Sequence, residues 1–196
     1  MKAPFRILIV AGLCVVALIG LVVREGMARA SGTEILLTTD VVDPRSLLSG
    51  HYVTIGLVEQ LEDGAICPAA FDETTEPQWV AFEQVEDHHR AVGVAASRTE
   101  AEALSPLVAR GSASCDAALV ARGDESATRP GFIRTSIGVS RFYADQEQAE
   151  AISSILRAQS RDDERRVLAI VSLGEDGRAR LKGLVVDGER LELDWL

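Results

Sequence analysis

The stretch VVDPRSLLSGHYVTI, Val41–Ile55, decides how the chain is read. Asp43 is a good helix cap, and Pro44 suits the first helical position, where a missing N–H costs nothing. Arg45–Ser49 completes about one and a half turns, and Gly50 can take the left-handed conformation that ends a helix. The segment therefore reads as a capped single-turn corner, with Leu47 and Leu48 as anchors to a core. It delivers the chain into a strand beginning at His51 or Tyr52. That strand, YVTIGLVEQL, puts Val53, Ile55 and Leu57 on one face, the period of a half-buried strand. The corner needs no catalytic purpose.

Outward from it, most segments have strand character. TEILLTT (Thr33–Thr39) precedes the corner; QWVAFEQV, RAVGVAAS, LVARGSA, DAALVARG and FIRTSIGVSRFY follow it. RVLAIVSL, ARLKGLVV and RLELDWL close the chain as a three-stranded meander, joined by GEDGR and VDGER, in which Asp-Gly is a strong hairpin signal. One helix interrupts: YADQEQAEAISSILRAQSRDD sets Ala149, Ile152, Ile155 and Leu156 on one face, and Asp145 with Gln148 forms a capping box. The expectation is an α+β, mostly β domain, a partly closed β-barrel or sandwich-like body with one amphipathic helix.

The N-terminus is of another kind. ILIVAGLCVVALIGLVV, Ile7–Val23, is a 17-residue run without a charge, at the lower limit for a single transmembrane helix of about 17–25 residues. It is longer than a signal-peptide core of roughly 7–15. Ala28-Arg29-Ala30 fits a small-x-small cleavage pattern, but Arg24, Glu25 and Arg29 crowd that site. The favoured reading is an uncleaved anchor over residues 1–30 and an exported domain over residues 31–196. Lys2 and Arg6 balance Arg24 and Arg29, so only the free amino terminus tips the orientation toward a cytoplasmic N-terminus. The expected location is the bacterial inner membrane, single-pass, with the C-terminal domain periplasmic.

Four of the 20 basic and one of the 30 acidic residues lie in residues 1–30, which leaves 16 basic against 29 acidic in the remainder. Such a domain is soluble and is repelled by nucleic acid and by anionic headgroups. Of three cysteines, Cys14 lies in the apolar run, while Cys67 and Cys115 lie in the exported part. They are a candidate disulfide in an oxidising compartment, although spacing alone leaves their distance open.

TTDVVDPRSLLSGHYVTIGL resembles the signature of the GDYXXLXY family, membrane-anchored bacterial proteins. Asp43, Pro44, Arg45, Leu47, Leu48, Gly50 and Tyr52 fit, while His51 replaces the family's Asp, Ile55 its Leu, and Leu57 its final Tyr. GVSRFYADQEQAEAI and DGRARLKGLVVDGERL resemble later family segments. The resemblance implies an anchored topology and a class, with the motif as a structural or partner-binding element. It implies no reaction.

Candidates for chemistry are thin. Ser46 or Ser49 with Lys182, the only exported lysine, would make a Ser–Lys hydrolase, but a strand lysine beside a turn is expected to be exposed, and a serine nucleophile needs its base within reach. His88 and His89 in EDHHR read as a solvated turn, since adjacent strand residues point to opposite faces and no ligand spacing accompanies them. His51 with Asp40 or Asp43 reads as a local hydrogen bond. Trp79 and Trp195 read as core or interface anchors. No metal or cofactor is expected. The primary expectation is a non-enzymatic periplasmic accessory protein that binds an envelope or polytopic membrane protein. The alternatives are a membrane-tethered hydrolase or peptidase-like enzyme, and a cleaved, soluble periplasmic binding module.

Overall fold

The computed structural model describes residues 3–41, 52–62, 65–71, 78–116, 119–120, 128–129, 131–143, 167–186 and 188–192. The corner residues Asp43–His51 and the helix expected from Asp145 lie outside the described residues, as do Ser46, Ser49 and Trp195.

Helix α1 spans Ala3–Ser31. It overruns the apolar segment by two turns: Arg24–Ser31 contains no proline, and its one glycine, Gly26, costs only about 1 kcal/mol in a helix. Arg24–Ser31 are thus helical, and Gly32 alone separates α1 from strand β1 (Thr33–Val41). Gly32 is required by close approach: a Cβ there would sit 2.2 Å from the Ser172 hydroxyl and 2.7 Å from the Leu173 carbonyl.

The body is mostly β. Strands β2 (Tyr52–Gln60), β3 (Trp79–Val85), β4 (His88–Ala95), β5 (Leu107–Arg110) and β6 (Ser112–Asp116) come first. The short pair β7 (Leu119–Val120) and β8 (Thr128–Arg129) stands apart. Strands β9 (Phe132–Ser136), β10 (Arg141–Tyr143), β11 (Val167–Leu173), β12 (Ala179–Val186) and β13 (Glu189–Glu192) complete the described residues. The main path runs β13-β12-β11-β1-β2-β9-β6, with β10 beside β2, and with β4, β3 and β5 branching from β1.

Strand β1 pairs with three other strands. Thr33–Thr38 pairs antiparallel with β11, Thr39–Val41 pairs with β2, and Leu37 meets His89 of β4 in parallel. On the other side the chain passes from β5, which pairs β3, through Gly111 to β6, which pairs β9. Among the described residues only the continuing chain joins those two ladders, so the hydrogen-bonded sheet they form is not closed. The expected mostly-β body behind an N-terminal apolar helix is present, whereas barrel closure is not.

Apolar alternation builds the core. Ile35, Leu37, Ile55, Leu57, Val80, Phe82, Ile133, Val171 and Leu184 are buried in one cluster. Burial of such side chains contributes about 1.5–3 kcal/mol each. A second, smaller cluster gathers Trp79, Ala81, Ala95, Ala101 and Val108. It is covered by helix α2 (Arg98–Leu104), which the sequence reading left out. Ser97 and Glu100 cap that helix reciprocally, the S-x-x-E signature of a capping box.

Cys67 and Cys115 are joined in a disulfide with a Cα–Cα distance of 5.8 Å. The bond ties the segment after β2, with its 3-10 turn at Ala69–Phe71, to β6.

Candidate functional site

Two clusters of polar side chains stand out from this frame. The larger lies where α1 meets the turn between β11 and β12. Arg180, on β12, is 9% exposed, unusual for an arginine without a partner. All five of its N–H donors are matched. Nε and Nη2 donate to the two oxygens of Glu25 on α1, at 2.5 and 3.2 Å. Nη1 and Nη2 donate to Asp176 at 3.1 and 2.8 Å, and Nη1 also reaches the Arg178 carbonyl at 3.4 Å. The Arg180 guanidinium, aided by the Arg178 N–H, holds the Asp176 carboxyl well below the usual carboxylate range. One turn further along α1, Arg29 donates to the Lys182 carbonyl at 2.9 Å.

The β11–β12 turn that carries Asp176 is itself held from behind. Gly177, at φ 75°, lies against the Trp79 ring, so that a Cβ there would approach it to 2.4 Å. The Arg110 N–H donates to the Gly177 carbonyl at 2.7 Å, and Arg98 donates to the Glu175 carbonyl at 2.6 Å. Both guanidinium groups also stand over the Trp79 ring, at 5.2 and 5.7 Å, where its π-face attracts cations. Trp79 is therefore a core anchor, as its neighbours suggested. Between this turn and α1 opens a basin of about 680 Å³, lined by Leu21, Arg24, Glu25 and Ala28 from the helix and by Glu175, Asp176, Arg178 and Arg180 from the body.

The second cluster sits at the split in β1. His88 is 4% exposed; its Nε2 lies 3.0 Å from Glu59 on β2 and its Nδ1 lies 3.1 Å from Asp87. The Thr38 hydroxyl donates to the other Glu59 oxygen. Burial disfavours the imidazolium, but the hydrogen bonds and charges of Glu59 and Asp87 outweigh it, and the His88 pKa is raised. His89 is the reverse case. Burial and the neighbouring His88 charge lower its pKa, and the Leu36 N–H donates to its Nδ1 at 3.2 Å, which requires that nitrogen to be unprotonated. The solvated-turn reading of EDHHR is thus corrected: Glu86-Asp87 is the turn, and both histidines lie on β4. The missed signal was Glu59, which continues the Ile55-Leu57 face of β2 into the interior.

Of the residues singled out from the sequence, Tyr52 and Ile55 lie on β2, where Ile55 is buried at 2% exposure and Tyr52 registers with Tyr143 of β10. Asp43, Pro44, Arg45, Leu47, Leu48, Gly50 and His51 lie outside the described residues. Lys182 is not the exposed amine expected: it is three-quarters covered and its Nζ pairs with Glu34 at 3.0 Å, which suits a structural ammonium better than a general base. Glu34 is bound by Arg190 as well. Among the described residues no group of three or more His, Cys, Asp or Glu is arranged to hold a metal ion.

A profile of the GDYXXLXY protein family matches residues 14–184. The chain belongs to the GDYXXLXY family. The match begins within the apolar helix and ends inside β12, so the matched range includes both the junction basin and the His88 cluster. In this GDYXXLXY protein the strand that carries the resemblance to the family signature is β2, and its Ile55 and Leu57 are core residues. No curated protein and no solved structure matches the chain.

Proposed function

We propose that this GDYXXLXY protein is a membrane-anchored, non-catalytic accessory protein of the periplasm, whose β body is held rigidly at the outer face of the inner membrane to engage another envelope protein. The observation that carries this reading is the Glu25–Arg180 pair. A flexible tether would need no such contact. Here the helix end is bonded to β12, and one glycine separates helix from strand.

Membrane placement is supported by the surface of α1. Every large apolar side chain from Ile7 to Val23 is exposed, between 43% and 71%, and the helix is long and apolar enough to cross a bilayer. Leaving a dozen such side chains in water would cost on the order of 10–20 kcal/mol. Retention of the helix is supported by position: cleavage after Ala30 would remove both Glu25 and Arg29 from their partners on β12. An oxidising location is supported by the Cys67–Cys115 bond.

Photo-crosslinking in intact cells tests the function. A crosslinker placed on the exposed body surface, at Glu102 or Asp116, is expected to capture one discrete envelope protein from at least one site. Only self-adducts or no adduct at either position, from protein shown to be in the membrane, would contradict the accessory role.

A further inference from the structure

The charges of the junction basin do not follow those of the body. Residues 31–196 hold 16 basic against 29 acidic side chains, yet the basin lining holds four arginines and three carboxylates. Two of those carboxylates, Glu25 and Asp176, are occupied by Arg180. Arg110 stands on the rim, supported by Trp79. Arg24 and Arg178 line the basin with side chains that make no hydrogen bond or ion pair among the described residues.

The position of the basin along α1 is equally specific. Leu21 lies inside the apolar run and Arg24 immediately follows it. From Arg24 to Ala28 the helix rises about 6 Å, comparable to the headgroup layer of one leaflet, about 5–8 Å. The basin therefore begins at the edge of the hydrocarbon and opens at the depth of lipid phosphates. Guanidinium groups bind phosphate oxygens in a fork geometry, and Leu21 offers an apolar wall for the first acyl carbons.

We propose that the basin binds the monoanionic phosphodiester of an anionic membrane lipid, gripped by Arg24 and Arg178. This rests on the membrane placement of α1 proposed above. The small positive excess of the lining suits a singly charged phosphodiester and disfavours a dianion. The acidic remainder of the body is repelled by an anionic leaflet, so the basin fixes the body to the surface at one point and in one orientation.

Native mass spectrometry of the full-length protein in detergent tests it, using short-chain phosphatidylglycerol, phosphatidylcholine of the same chain length, and inorganic phosphate as probes. The wild type is expected to retain one phosphatidylglycerol per chain at least tenfold over phosphatidylcholine, and millimolar inorganic phosphate should not displace it. Arg24→Gln combined with Arg178→Gln should reduce that retention tenfold or more and leave phosphatidylcholine unaffected, while Arg134→Gln, outside the basin, should match the wild type. Equal retention by the double variant, or displacement by phosphate, would overturn the proposal. Carbonate-resistant flotation of the same proteins with vesicles keeps the two readings separate. Loss of wild-type flotation would defeat the anchor, whereas flotation with arginine-independent lipid retention would defeat the headgroup site alone.

Discussion

The Arg180 guanidinium on β12 grips the Glu25 carboxylate on α1 through two hydrogen bonds, 2.5 and 3.2 Å long, across 155 positions of sequence. It is the strongest polar tie between helix and body, and it makes them one mechanical unit. Arg180→Ala should lower the stability of the full chain by about 2 kcal/mol, since the arginine is buried although its partners are partly exposed. Thermal unfolding in detergent measures this. Glu25→Gln keeps the Asp176 half of the contact and should cost about 1 kcal/mol or less, while widening the distribution of spin-label distances between α1 and β12. Unchanged distances in that variant would deny the clamp.

The His88 cluster predicts opposite pH responses for adjacent residues. The folded His88 pKa is raised, so its stabilisation is fully present below the unfolded value of about 6.5 and is lost as pH rises through the folded pKa. The folded His89 pKa is lowered, so its contribution is lost as pH falls below about 6.5 toward the folded pKa. His88→Ala should destabilise by about 3 kcal/mol at pH 6, because it removes the cationic partner of Glu59, 15% exposed, and leaves it only the Thr38 hydroxyl. The loss should be smaller at pH 9. Chemical denaturation across that range checks the sign.

Core positions of the motif strand should respond to volume. Ile55→Ala should cost about 2–5 kcal/mol. Ile55→Leu, which keeps the side-chain volume, should cost less than about 1.5 kcal/mol. Urea unfolding midpoints compare the two. Similar losses for both would mean that shape at β2, rather than burial, governs the position.

Ser172 is wholly buried and its hydroxyl has no hydrogen-bond partner among the described residues. Ser172→Ala should therefore be neutral or stabilising by up to about 1 kcal/mol. Gly32→Ala, which drives a methyl into the same spot, should destabilise by at least about 1–3 kcal/mol. Calorimetry of the two variants, alone and combined, tests whether helix and sheet meet there.

Reduction of the Cys67–Cys115 bond, whose cysteines are 48 residues apart, should lower stability by roughly 4 kcal/mol in the chain-entropy account. Unfolding with and without reductant measures it, with Cys67→Ser as the control that abolishes the difference.

What the sequence disclosed follows from how local each signal is. Alternation in YVTIGLVEQL and the Asp-Gly turn before Arg178 are nearest-neighbour patterns, and both strands and turn are present. The α2 capping box at Ser97 and Glu100 is an equally local signal, an S-x-x-E pattern confined to four residues. The division of β1 among β11, β2 and β4 was not legible, because it depends on partners far away in the chain, such as His89, which meets Leu37 from 52 residues away. Arg180 was not legible either. Within ARLKGLVV a buried clamp and a solvated strand arginine look alike, and only the arrival of Glu25 distinguishes them. The extension of α1 to Ser31 is compatible with Arg24–Ser31, which has no proline, but Gly26 lets the same residues read equally well as a flank.

The central claim is that α1 remains in the membrane and carries the body on its end. Intact-mass measurement of the protein isolated from cells tests it most directly. The account predicts a chain that retains Ile7–Ser31 and stays in the membrane fraction after alkaline extraction. A chain beginning near Ser31, recovered in the soluble periplasmic fraction, would contradict it.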